Sequence, residues 1–175
     1  MCTVRGRQIG GPAAEIWLRV LDSRATRVKG GDGEHVMPRI LVVDDDPMVC
    51  MTLEVCLVRH DFIVTIANGG ESGLRALEDS SFDLMIVDIF MPHMRGFESI
   101  RVFHERAPSV PLVAMSGYAF ANADSPAPDF LRMALDLGAT RCLRKPFTPV
   151  ALMTVINECL AEGRSHHAGV ARQLW

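Results

Sequence analysis

The sequence predicts an α/β fold in which five parallel strands form one doubly wound sheet with helices on both faces. From Arg39 onward, short apolar runs alternate with longer stretches of helical pattern. The runs are apolar at every position, which is typical of strands covered on both faces by helices. Acidic or basic residues follow several runs directly, at the end where open α/β sheets bind their ligands.

Each predicted strand is an apolar run that precedes a helical pattern. The first strand, 39–43, is followed by an acidic cluster and Pro47, which favour the start of a helix over 47–59. The remaining strands are predicted over 62–67, 82–87, 111–115 and 141–144, and the remaining helices over 70–79, 97–106, 128–137 and 148–161. Right-handed crossovers between parallel strands distribute these helices over both faces of the sheet.

Composition supports a single intracellular domain with tails. The chain has 175 residues, of which 49% are hydrophobic and 22% charged, enough for one sizeable core. No apolar stretch reaches the roughly 18 residues of a membrane span, and the N-terminus lacks the pattern of a secretory signal. The five cysteines lack the spacing of zinc ligands, and four lie among apolar neighbours, so neither zinc nor disulfides are indicated. We expect a cytoplasmic protein without membrane association.

Charge divides the chain near residue 37. Residues 1–37 carry six basic and four acidic side chains, a net charge of +2, whereas residues 38–175 carry twelve and seventeen, a net charge of −5. A mildly acidic domain without a basic stripe is not expected to bind DNA directly.

Both ends of the chain are predicted to lie outside the domain, which we place at residues 38–161. Residues 1–37 are expected to be a disordered leader, because glycine-rich stretches bracket the one helical pattern, 13–21. The alternative is that 13–21 forms a helix that binds a partner or a membrane surface. Residues 162–175 are a short tail with too few residues for an output domain, so the domain is expected to act alone.

Polar side chains gather at the predicted carboxyl edge of the sheet. Asp44 and Asp45 follow the first strand, Asp88 follows the third, and Ser116 and Lys145 follow the fourth and fifth. Lys145 is one of only two lysines in a chain with sixteen arginines. Carboxylates, a hydroxyl and one ammonium at one edge predict a site for a divalent cation and a phosphoryl group. Simpler interpretations remain open, since these residues could instead be a helix cap, turn residues and a surface lysine.

The order and spacing of four motifs resemble one family, the receiver domain of two-component response regulators. The motifs are Ile40-Leu41-Val42-Val43-Asp44-Asp45-Asp46-Pro47, then Asp83-Leu84-Met85-Ile86-Val87-Asp88-Ile89-Phe90-Met91-Pro92 with Gly96, then Val113-Ala114-Met115-Ser116-Gly117, then Gly138-Ala139 and Lys145-Pro146-Phe147. The resemblance covers about residues 38–161. It implies a flavodoxin-like strand order of 2-1-3-4-5.

The resemblance also implies a role for each site residue. Asp88 is expected to accept a phosphoryl group, with Lys145 and Ser116 contacting its oxygens. Asp44, Asp45, Asp88 and the backbone carbonyl of Phe90 are expected to hold Mg²⁺, which prefers such oxygen ligands. Asp46 is left out of this set as a helix cap. A cis peptide bond before Pro146 is implied as well.

Three departures from the family pattern affect the expected output. Cys142 occupies the position of an aromatic switch residue that acts with Ser116, and it is either a redox-sensitive thiol or buried filler. Residues 119–128 form an insertion, rich in small residues, that is either a partner-specific element or tolerated slack. Phe90 and Tyr118 are bulky at the positions that flank the path of hydrolytic water, which predicts a long-lived phosphoryl state.

The expected partners are a sensor histidine kinase or a histidine phosphotransfer protein, and a downstream target protein that the sequence does not identify. The protein would be a monomer or a phosphorylation-dependent dimer. Two other classes stay open. One is a binding module of the same fold that acts without phosphorylation, and the other is an aspartate-based phosphohydrolase. The latter requires a second acid two residues after the nucleophile, where this chain has Phe90.

Overall fold

A computed structural model describes residues 27–28, 35–94, 97–117 and 130–171. The chain divides into two compact units, residues 1–37 and 38–175. In the first unit, the two-residue strands Arg27–Val28 and His35–Val36 pair in antiparallel orientation. The predicted helix at 13–21 lies outside the described residues. In the parts of the chain that are described, no helix is long and apolar enough to cross a membrane.

The second unit contains a five-stranded parallel sheet. The strands are β1 (Arg39–Val43), β2 (Ile63–Ala67), β3 (Leu84–Asp88), β4 (Leu112–Ser116) and β5 (Arg141–Arg144). Their order across the sheet is β2-β1-β3-β4-β5, and every neighbouring pair is parallel. The predicted fold class and strand order are confirmed.

Helices cross between successive strands and continue after the last one. They are α1 (Pro47–Val58), α2 (Gly70–Asp79), α3 (Glu98–Arg106), α4 (Phe130–Asp136) and α5 (Pro149–Ala171). The prediction that the last helix ends at 161 is wrong, because α5 continues for another ten residues. Gly163 and Gly169 each cost the helix only about 1 kcal/mol, and no proline lies among the residues that follow 161 to stop it.

Two apolar cores lie on opposite faces of the sheet. Along β1, Ile40 and Val42 point into one core, which α1 and α5 cover, while Leu41 and Val43 point into the other. The second core includes Phe103 of α3, which is fully buried. Because side chains alternate along a strand and both faces are covered, β1 is apolar throughout, as the sequence pattern indicated.

Candidate functional site

Three side chains from three strand ends meet at the carboxyl edge of the sheet. The Nζ atom of Lys145 donates to Asp44 Oδ2 at 2.5 Å and to Asp88 Oδ1 at 2.7 Å. Asp44 and Asp88 are buried, with side chains 1% and 7% exposed, and the Lys145 side chain is 19% exposed. A single ammonium therefore joins two carboxylates in a place with little access to water.

Backbone hydrogen bonds between strand ends hold these residues in line. The amide of Asp44 donates to Ala67 O at 3.2 Å, and that of Lys145 donates to Ser116 O at 2.8 Å. The Lys145–Pro146 peptide bond is cis, as the family resemblance implies. The site thus stands on the ends of sheet strands, which position side chains more precisely than loops do.

Each buried carboxylate is held at both oxygens. Beyond the contact with Lys145, Asp44 Oδ1 accepts from the backbone amide of Asp46 at 3.0 Å. Asp88 Oδ2 accepts from the backbone amide of Phe90 at 2.7 Å. Because one oxygen faces an ammonium and the other a backbone N–H, each carboxylate has one fixed orientation.

Burial and pairing act in opposite directions on the charges of this cluster. Burial raises the pKa of Asp44, and the hydrogen bond from Lys145 offsets this only in part. Burial lowers the pKa of Lys145, but hydrogen bonds to Asp44 and Asp88 outweigh burial and leave it above its ordinary value. Lys145 is therefore a cation at neutral pH.

The two acidic residues after Asp44 have different positions. Asp46 caps helix α1, with Oδ1 accepting from the Met48 amide at 2.8 Å, so its predicted role as a cap is confirmed. Asp45 is exposed next to the buried pair.

The remaining predicted site residues lie near the same edge. Ser116 is buried at the end of β4, in register with Arg144. Cys142 is half-buried in β5 opposite Ala114 and packs with the core under α3 and α4. Phe90 is half-buried, and its ring meets that of Phe97 edge-on at 6.3 Å between centroids. Tyr118 and the 119–128 insertion lie outside the described residues.

Two further side chains contact the backbone of the acidic residues, and sequence reasoning missed both. The buried hydroxyl of Ser99 donates to Asp88 O and Ile89 O, each at 3.3 Å. Cys50 Sγ donates to Asp44 O at 3.4 Å, and burial together with the negative charge of Asp44 raises its pKa to about 11. The sequence did carry a signal for both contacts. Ser99 and Cys50 are polar residues on the buried side of a helix, near Ile100 and Leu53, and buried polar groups need hydrogen-bond partners.

The family resemblance implies a Mg²⁺ ion at this site. Within the described residues, no three His, Cys, Asp or Glu side chains are placed together as metal ligands. The chemistry of the site nevertheless suits Mg²⁺. The carboxylates of Asp44 and Asp88 both contact Lys145 Nζ, and the exposed Asp45 directly follows Asp44 in the chain. Carboxylate oxygens are the ligands this ion prefers, and an exposed third acid can turn toward an ion that keeps several waters.

Solved structures with this fold define the class of protein. A CheY-like receiver domain protein from Methanospirillum hungatei JF-1 superposes with a TM-score of 0.67 at 29% identity, over 74% of this chain and 98% of that one. The chemotaxis protein CheY4 from Vibrio cholerae gives 0.62 at 25% identity, over 71% and 99%. The architecture is that of a CheY-like signalling domain.

The family model of the response regulator receiver domain matches residues 40–157. The chain therefore belongs to the response regulator receiver domain family, as the sequence motifs predicted. Among curated proteins, it is 34% identical over 132 residues to the transcriptional regulatory protein ZraR of Klebsiella oxytoca. It is 30% identical over 134 residues to the transcriptional regulatory protein PcoR of Escherichia coli.

The chain spans only part of these curated relatives. The matched region covers 75% of this chain but 28% of ZraR, and 77% of this chain but 56% of PcoR. The shared part is the receiver domain, so the activities of the whole relatives do not transfer with it.

Proposed function

We propose that this receiver domain accepts a phosphoryl group on Asp88 from a phosphohistidine of a sensor kinase or phosphotransfer protein. The observation that carries the proposal is the buried Asp88 carboxylate, fixed between the Lys145 ammonium and the Phe90 amide and beside Asp44. A carboxylate held at both oxygens is oriented before its substrate arrives, which lowers the cost of reaching the reactive geometry.

In the proposed reaction, a carboxylate oxygen of Asp88 forms a bond to phosphorus while the bond from phosphorus to the donor nitrogen breaks. The bonding electrons leave with the imidazole, and Asp88 becomes an acyl phosphate. Lys145 stays protonated and contacts the phosphoryl oxygens, and Ser116 donates its hydroxyl to one of them. The transition state of phosphoryl transfer is loose and anionic, so positively charged groups stabilise it.

Mg²⁺ is the cofactor that this site would hold, through Asp44, Asp45, Asp88 and the backbone carbonyl of Phe90. When bound, it would neutralise charge on the phosphoryl oxygens. Without it, Asp44 and Asp88 place two negative charges beside a single ammonium, and an incoming phosphoryl group would be repelled.

The signal is proposed to leave through contact with another protein in the cytoplasm. The mildly acidic charge of residues 38–175 supports a protein target over direct contact with DNA. ZraR and PcoR are named as transcriptional regulatory proteins, and the chain matches only part of each.

Acetyl phosphate and Mg²⁺ test this proposal through the intact mass of the protein. We expect a lasting gain of one phosphoryl group in the wild type and in Asp46→Asn, and no gain in Asp88→Asn or when EDTA replaces Mg²⁺. Asp46→Asn is the matched control because asparagine also caps helices. Turnover of acetyl phosphate without an adduct would instead indicate a phosphohydrolase, and neither turnover nor adduct would indicate a binding module.

A further inference from the structure

The hydroxyl of Ser99 reaches from helix α3 to the backbone that follows the proposed phosphoacceptor. Ser99 is the second residue of α3 and is fully buried. Its Oγ atom donates to Asp88 O and to Ile89 O, each at 3.3 Å. Because a hydroxyl carries one proton, the two carbonyl oxygens share it in a three-centre hydrogen bond. Ser99 therefore contacts two successive peptide groups at the end of β3.

Both of these peptide groups are also held at their N–H ends. In the peptide group that joins Asp88 to Ile89, the Ile89 amide donates to Met115 O of β4 at 2.9 Å. In the next peptide group, which joins Ile89 to Phe90, the Phe90 amide donates to the Asp88 carboxylate at 2.7 Å. Because a peptide group is planar, a hydrogen bond to its carbonyl oxygen also fixes the direction of its N–H. The contact of Ser99 with Ile89 O therefore bears on the orientation of the Asp88 carboxylate.

Helix α3 gives this contact a fixed support. Ile100 and Phe103 lie on the buried side of the helix and are fully buried in the core against the sheet. Close packing of these side chains leaves the helix little room to move relative to β3. A side chain carried on a packed helix is positioned more precisely than one on a loop. The hydroxyl of Ser99 is therefore held in place at the end of β3.

We propose that Ser99 is a positioning residue for the phosphorylation of Asp88. Its hydroxyl fixes the peptide group between Ile89 and Phe90, and the amide of that group keeps the carboxylate aligned. Hydrogen bonds in a chain polarise one another, so the Ser99 contact also strengthens the bond from the amide to the carboxylate. A carboxylate oriented before the phosphodonor arrives reaches the reactive geometry at lower cost. The inference rests on the proposed function, and in this role Ser99 acts through the backbone.

Proton–nitrogen correlation NMR of the full chain, without a phosphodonor, tests the link between Ser99 and the carboxylate. The Phe90 amide proton donates to a charged group, so its signal should lie downfield in the wild type and move upfield in Asp88→Asn. Ser99→Ala should move the signal in the same direction, because the peptide group loses its support. Ile100→Val is the matched control, since it shortens a buried side chain of the same helix and keeps the hydroxyl. Its Phe90 signal should stay near the wild-type position.

The initial rate of phosphoryl gain from acetyl phosphate and Mg²⁺, followed by intact mass, tests the effect on the reaction. We expect Ser99→Ala to react about fivefold more slowly than the wild type, because a misaligned nucleophile costs rate. Ile100→Val should react at the wild-type rate. Urea denaturation should show a loss of stability in both variants, since one removes a buried hydrogen bond and the other leaves a small cavity. A slower reaction in Ser99→Ala alone therefore does not follow from lower stability.

The role of Ser99 is overturned if Ser99→Ala leaves the Phe90 signal or the rate unchanged, or if Ile100→Val loses as much rate as Ser99→Ala. Failure of the proposed function would look different. The wild type itself would then gain no phosphoryl group, and the role of Ser99 in the reaction would fall with it.

Discussion

At the scale of single residues, the site depends on an imbalance of charge. Two buried carboxylates, Asp44 and Asp88, share the single ammonium of Lys145. One negative charge is therefore in excess in a region with little water. Burial destabilises the charged form of Asp44 and so raises its pKa. Sites that bind cations commonly have such an excess, since the ion removes it.

Asp44→Asn is expected to stabilise the protein in the absence of Mg²⁺. The folded-state pKa of Asp44 is raised above its unfolded value, so this group favours folding below the ordinary pKa of 3.8, and the benefit is lost as pH rises through the folded-state pKa. Asparagine removes the cost of the charge and leaves Lys145 paired with Asp88. The free energy of unfolding at pH 7 should rise by about 1 kcal/mol.

Urea denaturation in EDTA from pH 3 to pH 8 measures this effect. The difference between Asp44→Asn and wild type should shrink as pH falls toward 3.8. Lys145→Met is the opposing control, because it leaves two like charges together and should lose stability at pH 7. An Asp44→Asn protein that is less stable than the wild type at pH 7 would show that the carboxylate is a net stabiliser.

Phe90 bears on the lifetime of the proposed phosphoryl group. Phe90 stands two residues after Asp88 in the chain, and its half-buried ring packs edge-on against the ring of Phe97. If this bulk and that of Tyr118 exclude water, Phe90→Asn/Tyr118→Glu should lose the phosphoryl group about tenfold faster, which corresponds to about 1.4 kcal/mol of barrier. The decay of the phosphorylated mass after removal of acetyl phosphate measures the rate. An unchanged rate would assign no shielding role to these side chains.

The sequence predicted which residues meet at this site, but it did not predict which of the carboxylates are buried and which are exposed. Asp44, Asp88 and Lys145 follow apolar runs, so parallel strands bring them to one edge. That Asp44 is buried while Asp45 is exposed depends on the turn into α1, where the Asp46 amide binds Asp44. Such a turn is a tertiary feature that hydrophobic periodicity does not record.

At the scale of elements, close packing between helices and sheet keeps the strand ends in register. A Cβ atom on Gly73 of α2 would lie 2.7 Å from Phe103 Cζ and 2.9 Å from Val43 Cγ2. Both neighbours are fully buried and have no free space to move into. Glycine is therefore required there because α2 approaches β1 and α3 closely.

Gly73→Ala should lower the free energy of unfolding by about 1–2 kcal/mol, because overpacking outweighs the gain in helix propensity. Gly70→Ala is the matched control in the same helix. The three atoms nearest to its added methyl group, Cγ, Sδ and Cε, all belong to the flexible and only partly buried Met94 side chain, which can move aside, so the change should stay within about 1 kcal/mol. Urea denaturation measures the free energy of unfolding of both variants. Equal losses of stability would mean that close contact with Phe103 and Val43 does not require glycine at position 73.

Elements differ in how well local sequence predicted their ends. Strand β1 begins and ends where its apolar run predicts, because both of its faces are buried. Strand β3 starts at Leu84 instead of residue 82 and includes Asp88. The predicted end of α5 was wrong by ten residues, because a helix end without proline or a capping turn leaves no clear local signal.

At the scale of the whole molecule, the carboxyl edge of the sheet carries the proposed phosphoacceptor, and helix α1 begins beside it. Helix α1 starts at Pro47, directly after the acidic residues, and exposes apolar side chains such as Met48 and Met51 to solvent. The overall fold followed from the sequence because alternating strands and helices leave few topologies, whereas the partner that receives the signal depends on surfaces that no motif specifies.

The central claim is that Asp88 is the residue that receives the phosphoryl group. Borohydride reduction of the protein after incubation with acetyl phosphate and Mg²⁺ tests it, because an aspartyl phosphate is reduced to homoserine at the modified position. Peptide mass spectrometry should then find homoserine at position 88 and at no other aspartate, and only when Mg²⁺ is present. Homoserine at position 44 or 45, or its absence from every position, would contradict the account.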